Sequence, residues 1–197
     1  MRKVFVDLGA NKGEITDRFF ELVPDNGFEV ISFEPNDRFD HDLATKHYAV
    51  QHNKVLVWID DGELAFKFDS GSTGYSSSCI LTKTTGKFEK IVMTPCIDIS
   101  TWLLQNVCAD DFVILKVDIE GAEYEVIRKM DSAGSLSLID VLLLDTHPNN
   151  KLCLPADVWK KYNYDLDKSL GNFAGLLILN PDWVQNDVFD EVRKILP

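Results

Sequence analysis

The chain has no basic run. Its 20 Lys and Arg residues are outweighed by 32 Asp and Glu, for a net charge of −12. A protein that grips nucleic acid carries a basic stripe, so nucleic acid is not expected as a partner. No apolar stretch approaches the ~20 residues that cross a bilayer, and no signal peptide precedes the first strand. The expectation is a soluble, cytoplasmic protein without a membrane partner. Cysteine is scarce and scattered. Cys79, Cys96, Cys108 and Cys153 make neither a CxxC pair nor a zinc spacing, so isolated thiols of a reducing compartment are expected. Missing too is the G-x-G-x-x-G turn of nicotinamide enzymes, because Asn11 stands where its second glycine would be.

What is present is an ordinary globular composition, 45% apolar and 26% charged. A length of 197 residues suits one domain, read as 1–197, with a full core. Strands and helices alternate, which predicts an α/β sandwich on a mainly parallel sheet. Val4 to Asp7 reads as the first strand. Ile15, Phe19, Leu22 and Val23 share one helical face, which Pro24 ends. Phe28 to Phe33 is a second strand, followed by Asn36 as the cap of a helix bearing Phe39 and Leu43. Lys54 to Ile59 and Leu64 to Phe68 read as a strand, a turn and a returning strand. Residues 69–78, rich in Gly and Ser, read as a loop: a lid or binding segment, or else a plain connector. Ile91 to Ile97 is another strand, with a helix from Asp98. Phe112 to Asp118 and Ile139 to Leu144 are apolar throughout, as strands buried on both faces are. A helix carrying Tyr124, Ile127 and Met130 lies between them. Gly175 to Leu179 is a late strand and Val184 to Leu196 a closing helix.

The first strand runs into Asp7-Leu8-Gly9-Ala10-Asn11-Lys12-Gly13. A loop that cradles pyrophosphate wants backbone N–H groups and no nearby anion. Here an aspartate precedes the first glycine by two residues. S-adenosylmethionine carries a sulfonium and an ammonium group but no phosphate, so an acid suits it. Asp7 and the N–H groups opening the next helix are expected to hold its amino-acid end, with Gly9, Asn11 and Gly13 shaping the turn. Glu34 ends the second strand, where an acid accepts from a ribose diol. Trp58, with Asp60 or Asp61, offers an apolar slot and a polar edge for adenine; plain core is the alternative.

A second informative stretch is Leu115-Lys116-Val117-Asp118-Ile119-Glu120-Gly121-Ala122-Glu123-Tyr124. A lysine inside an apolar strand needs a partner, and Asp118 is the candidate. The next strand ends in Asp145-Thr146-His147. Asp118, Glu120, Asp145 and His147 are therefore expected to meet at one mouth of the sheet.

These segments, V-F-V-D-L-G-A-N-K-G, S-F-E-P, L-K-V-D-I-E-G-A-E-Y-E-V and L-L-L-D-T-H, resemble the FkbM-type S-adenosylmethionine-dependent methyltransferases, in order from about residue 4 to 147. The resemblance implies a class I methyltransferase (Rossmann-like) three-layer sandwich and O-methylation of a hydroxyl on a sugar or other small molecule. It implies Asp7, Gly9, Gly13 and Glu34 as cofactor contacts, and Asp118 and Glu120 as active-site acids. Many relatives end the fifth strand in glutamate, where this chain has Asp145. The family's region ahead of the first strand is missing here, so the chain is read as lacking an N-terminal cap.

An alcohol gives up its proton only to a positioned base, expected to be His147 or Asp118, with Glu120 orienting the acceptor. The same acids can hold Mg²⁺ or a similar cation, though no spacing demands a metal. Two rival readings are a non-catalytic protein that binds a nucleoside ligand and an NAD-dependent oxidoreductase.

Overall fold

The computed structural model describes residues 1–24, 27–48, 50–71, 74–181 and 187–197. Among these residues six strands form a wholly parallel sheet: β1 (Lys3–Leu8), β2 (Phe28–Phe33), β3 (Val50–Asn53), β7 (Phe112–Val117), β8 (Val141–Leu144) and β9 (Leu176–Leu179). Their order is β3-β2-β1-β7-β8-β9. The chain therefore winds outward in one direction from β1 and in the other from β7, and a crevice opens at the carboxyl ends of these two strands.

Two cores lie on the two faces of the sheet. On one face, β1 and β7 send Val4, Val6, Val113 and Leu115 toward α3 (Ile99–Asn106), α4 (Glu123–Ala133) and α6 (Ala156–Gly171). On the other, Phe5, Phe28 and Ile114 meet α1 (Glu14–Leu22) and α7 (Asp187–Ile195) through Phe19 and Phe189. Strand alternation produces this division, since odd and even positions face opposite layers. The result is the expected α/β, Rossmann-like sandwich. Two short helices, α2 (Asp40–Ala44) and α5 (Asn149–Leu152), sit at the carboxyl ends of the strands beside the crevice.

Three further strands form a separate sheet in the order β4-β6-β5, with β4 Leu56–Trp58, β5 Gly62–Asp69 and β6 Phe88–Asp98. This corrects the expected hairpin. β4 and β5 do not pair; β6 inserts between them, parallel to β4 and antiparallel to β5. The turn residues reverse the chain, but cross-strand pairing is decided by a strand some thirty residues later. β3 also escapes the periodicity, because Val50-Gln51-His52-Asn53 is a polar edge strand. Val184, the expected start of the closing helix, lies outside the described residues. No helix among the described residues is long and apolar enough to cross a membrane.

Candidate active site

The crevice is a cavity of about 550 Å³, lined on one side by Gly9, Ala10, Asn11 and Glu34 and on the other by Asp118, Glu120, Asp145 and His147. The expected turn and the expected acid cluster thus open on the same space.

At the first side, Gly9 and Ala10 donate their N–H groups to the carbonyl of Phe33, at 3.0 and 3.1 Å. This stitches the end of β1 to the end of β2. Gly9 has φ +76°, and a Cβ there would stand 2.0 Å from the carbonyl oxygen of Asp118. Its glycine is demanded by backbone meeting backbone. Asn11, itself at φ +48°, donates its N–H to Oε2 of Glu34 at 3.0 Å, and Asn36 donates to Oε1 at 2.9 Å. Burial drives the Glu34 carboxyl up to about 7, against the pull of these two N–H groups.

Asp7 and Gly13 hold other places than expected, since neither lines the cavity. Asp7 is buried, accepting from Thr16 Oγ1 at 2.9 Å, with its Oδ1 3.1 Å from Lys116 Nζ. Lys116 in turn donates to the carbonyl of Gly9 at 2.7 Å and lies 3.8 Å from Asp118. Asp7 is therefore the nearer partner of this lysine and braces the turn from below. Burial alone would lower the Lys116 pKa, but Asp7 and Asp118 raise it. Gly13 caps α1, and a Cβ there would meet Lys46. Trp58 packs against the buried cluster of Leu56, Phe66 and Cys96 and does not line the cavity, whose apolar wall includes Val55, Leu56, Val57 and Phe66. Asp61 accepts from the backbone N–H of Asp98.

At the second side, β7 ends at Val117, so a turn, not strand alternation, brings the acids together. Glu120 sits at φ +56° and Gly121 at φ +111°, where a Cβ would strike Leu152 at 2.5 Å. Ser78 Oγ donates to the Glu120 carbonyl at 2.7 Å. The bend points the Glu120 carboxylate at His147, with Oε2 3.1 Å from Nε2. His147 Nδ1 lies 3.0 Å from Oε1 of Glu123, and Asp118 stands 3.9 Å from Nε2. Burial would lower the His147 pKa, yet Glu120 and Glu123 outweigh it and lift the imidazole to about 10. Burial raises Asp118, partly offset by Lys116 and His147. Burial would raise Glu120 as well, but His147 and Lys83 bring it below its ordinary value.

Two residues of this network had no role assigned from the sequence. Glu123 is fully buried and receives Gly121 N–H as well as His147 N–H, both at 2.8 Å. Its place within D-I-E-G-A-E was a usable signal. Lys83, with no exposed side-chain area, pairs with Glu120 and donates to the Ser76 carbonyl at 3.2 Å. It stands in an aperiodic segment, where nothing in the sequence points to it. The expected loop now has a use: Gly74, Tyr75, Ser76 and Ser77 wall the cavity, and Tyr75 donates across it to Glu14 at 2.6 Å. Residues 72 and 73 of that loop lie outside the described residues.

A family model described as the methyltransferase FkbM domain matches residues 7–151. No match was found among curated proteins or solved structures. The matched span contains every residue that lines the cavity, from Gly9 to Lys151. With the turn after β1, the acid ending β2 and the D-x-E-G-A-E bend after β7 all in one crevice, the chain belongs to the FkbM methyltransferase family.

Proposed function

We propose that this methyltransferase uses S-adenosylmethionine and methylates a hydroxyl of a sugar or another small molecule. The observation that carries the reading is that Glu34 and Asp118 open on one cavity. Glu34 is a buried carboxylate that, among the described residues, accepts from two backbone N–H groups. A ribose diol would supply two more, which is the fit expected of a nucleoside ligand. The acids around the cavity, Glu14, Glu34, Asp118, Glu120 and Asp145, outnumber its lysines, Lys116 and Lys151. That balance suits a cationic donor and disfavours a dinucleotide phosphate.

When bound, S-adenosylmethionine supplies a methyl group already activated on a sulfonium. The chain then aligns the acceptor, excludes water and takes a proton. Among the described residues no hydrogen bond reaches the Asp118 carboxylate, whereas both ring nitrogens of His147 face carboxylates. Asp118 is thus the group free to accept the hydroxyl proton. His147 holds Glu120, and Glu120 is left to orient the acceptor. Gly74 to Ser77 wall the cavity beside these groups, where they would help to keep water from the reacting atoms.

Calorimetry with S-adenosylhomocysteine and with NAD⁺ tests the donor. Binding of the first, weakened at least about tenfold in Glu34→Ala through loss of a charge-assisted contact, is expected. Saturable NAD⁺ binding without a response to S-adenosylhomocysteine would overturn the reading in favour of an oxidoreductase. Donor binding with no methylated product across a panel of hydroxyl acceptors would favour the non-catalytic nucleoside binder.

A further inference from the structure

The His147 ring is fixed from behind. Glu123, which lies outside the cavity wall and is itself fully buried, holds Nδ1 at 3.0 Å and is pinned by the N–H groups of Gly121 and His147. That leaves Nε2 as the ring atom turned to the cavity, facing Glu120 at 3.1 Å and Asp118 at 3.9 Å. A carboxylate gripping one imidazole nitrogen while the other faces further carboxylates is the arrangement that orients a histidine as a metal ligand. One ligand atom from each of Asp118, Glu120 and His147 lies within 4.8 Å of the other two. The charges agree. Four carboxylates of this network, Asp7, Asp118, Glu120 and Glu123, meet two ammonium groups, Lys83 and Lys116, and the His147 imidazolium. That leaves one negative charge when all four are ionised, and two once a metal ion takes the place of the Nε2 proton. Lys83 and His147 both meet Oε2 of Glu120, and no hydrogen bond among the described residues reaches its Oε1.

We propose that Asp118, Glu120 and Nε2 of His147 form a binding centre for one divalent transition-metal ion, of the Mn²⁺ or Fe²⁺ class. One imidazole with two carboxylates is a mixed donor set that suits these ions, whereas Mg²⁺ and Ca²⁺ favour oxygen alone. The centre would lie at the acceptor side of the cavity and would not touch Glu34. One Asp118 oxygen would ligate the ion and the other would be left to take the hydroxyl proton. The proposal does not depend on which donor the protein uses.

The test is a titration of the full chain with Mn²⁺ alone, followed by electron paramagnetic resonance. One bound ion per chain is expected. Asp118→Asn and His147→Gln each weaken it at least about tenfold, and Glu123→Gln, which would not touch the ion, weakens it by about 10- to 100-fold. Circular dichroism establishes that each variant is folded. For a variant that is not, the wild type serves instead: bound Mn²⁺ must broaden the His147 ring signals in an NMR spectrum before those of other histidines. No stoichiometric Mn²⁺ on the wild type would overturn the proposal, as would affinity unchanged in the three folded variants or broadening centred on another histidine. S-adenosylhomocysteine binding, measured separately, distinguishes failure of this centre from failure of the methyl-transfer reading.

Discussion

Glu34 shows how one side chain links stability to ligand. Its ordinary value is 4.5 and burial lifts it to about 7 in the folded chain. The folded state therefore holds this proton more tightly than the unfolded state. Its contribution is fully present below pH 4.5 and is lost as pH rises through about 7. Thermal melts of the ligand-free protein are expected to lose about 1–3 kcal/mol of stability across that window, with the slope flattened in Glu34→Gln. A diol donating to the carboxylate favours its ionised form, so nucleoside affinity is expected to rise over the same pH range, and to do so only when Glu34 is present. Asp118 offers a second residue-scale prediction. Asp118→Asn should lower turnover on an accepted hydroxyl substrate by about 10²–10⁴-fold while leaving S-adenosylhomocysteine affinity within about twofold. Equal turnover would remove its role as base. Gly9→Ala should destabilise by at least about 2 kcal/mol in denaturant titrations, because the new methyl meets backbone at 2.0 Å.

At the scale of elements, caps and turns were the most legible features. Asp98 was expected to open a helix, and it accepts from Ser100 N–H at 3.0 Å and Thr101 N–H at 3.1 Å at the start of α3. Asp98→Ala should cost about 1–2 kcal/mol in chemical unfolding. Asn36 likewise accepts from Arg38 N–H, at the start of a 3-10 turn and not an α-helix. Pairing between strands was less legible. Asp60-Asp61-Gly62-Glu63 does turn the chain, yet β4 and β5 are kept apart by β6. A turn is written in its own residues, whereas a pairing depends on which distant strand offers the better face. The same reason hid Lys83. Its partner Glu120 is thirty-seven positions away, and a lysine in an aperiodic segment looks like any solvated one until the fold buries it.

At the scale of the whole molecule, the two cores leave the crevice ends of β1, β2, β7 and β8 uncovered. The acids and the glycine turn of the cavity come from those ends and the segments that follow them, while Leu56, Val57 and Phe66 of the second sheet add an apolar wall. Support for the site therefore comes from packing remote from it. Phe19 lies against Phe5, Phe28 and Phe189 on the face away from α3 and α4, with ring centres 5.1, 5.1 and 5.6 Å away. Phe19→Ala should lower global stability by about 3–5 kcal/mol without altering the cavity wall. Ligand binding should act in the opposite sense. S-adenosylhomocysteine at a hundred times its dissociation constant adds about 2.7 kcal/mol, which for a chain of this size raises the melting temperature by about 5–10 °C.

The sequence by itself determined the alternation of strands and helices, the apolar central strands and the grouping of acids at strand ends, because periodicity and turn chemistry act over a few residues. It also carried the family, through four short segments whose order along the chain sufficed. Only the tertiary structure decided which acids face the cavity. Asp7 precedes the glycine turn just as a ligand contact would, but Lys116, more than a hundred residues later, claims it and turns it into a brace. His147 looked like a free base until Glu120 and Glu123 closed on its two nitrogens. A side chain's chemistry is local, but its availability depends on what long-range packing places beside it, and that packing sets which of these acids can meet a substrate.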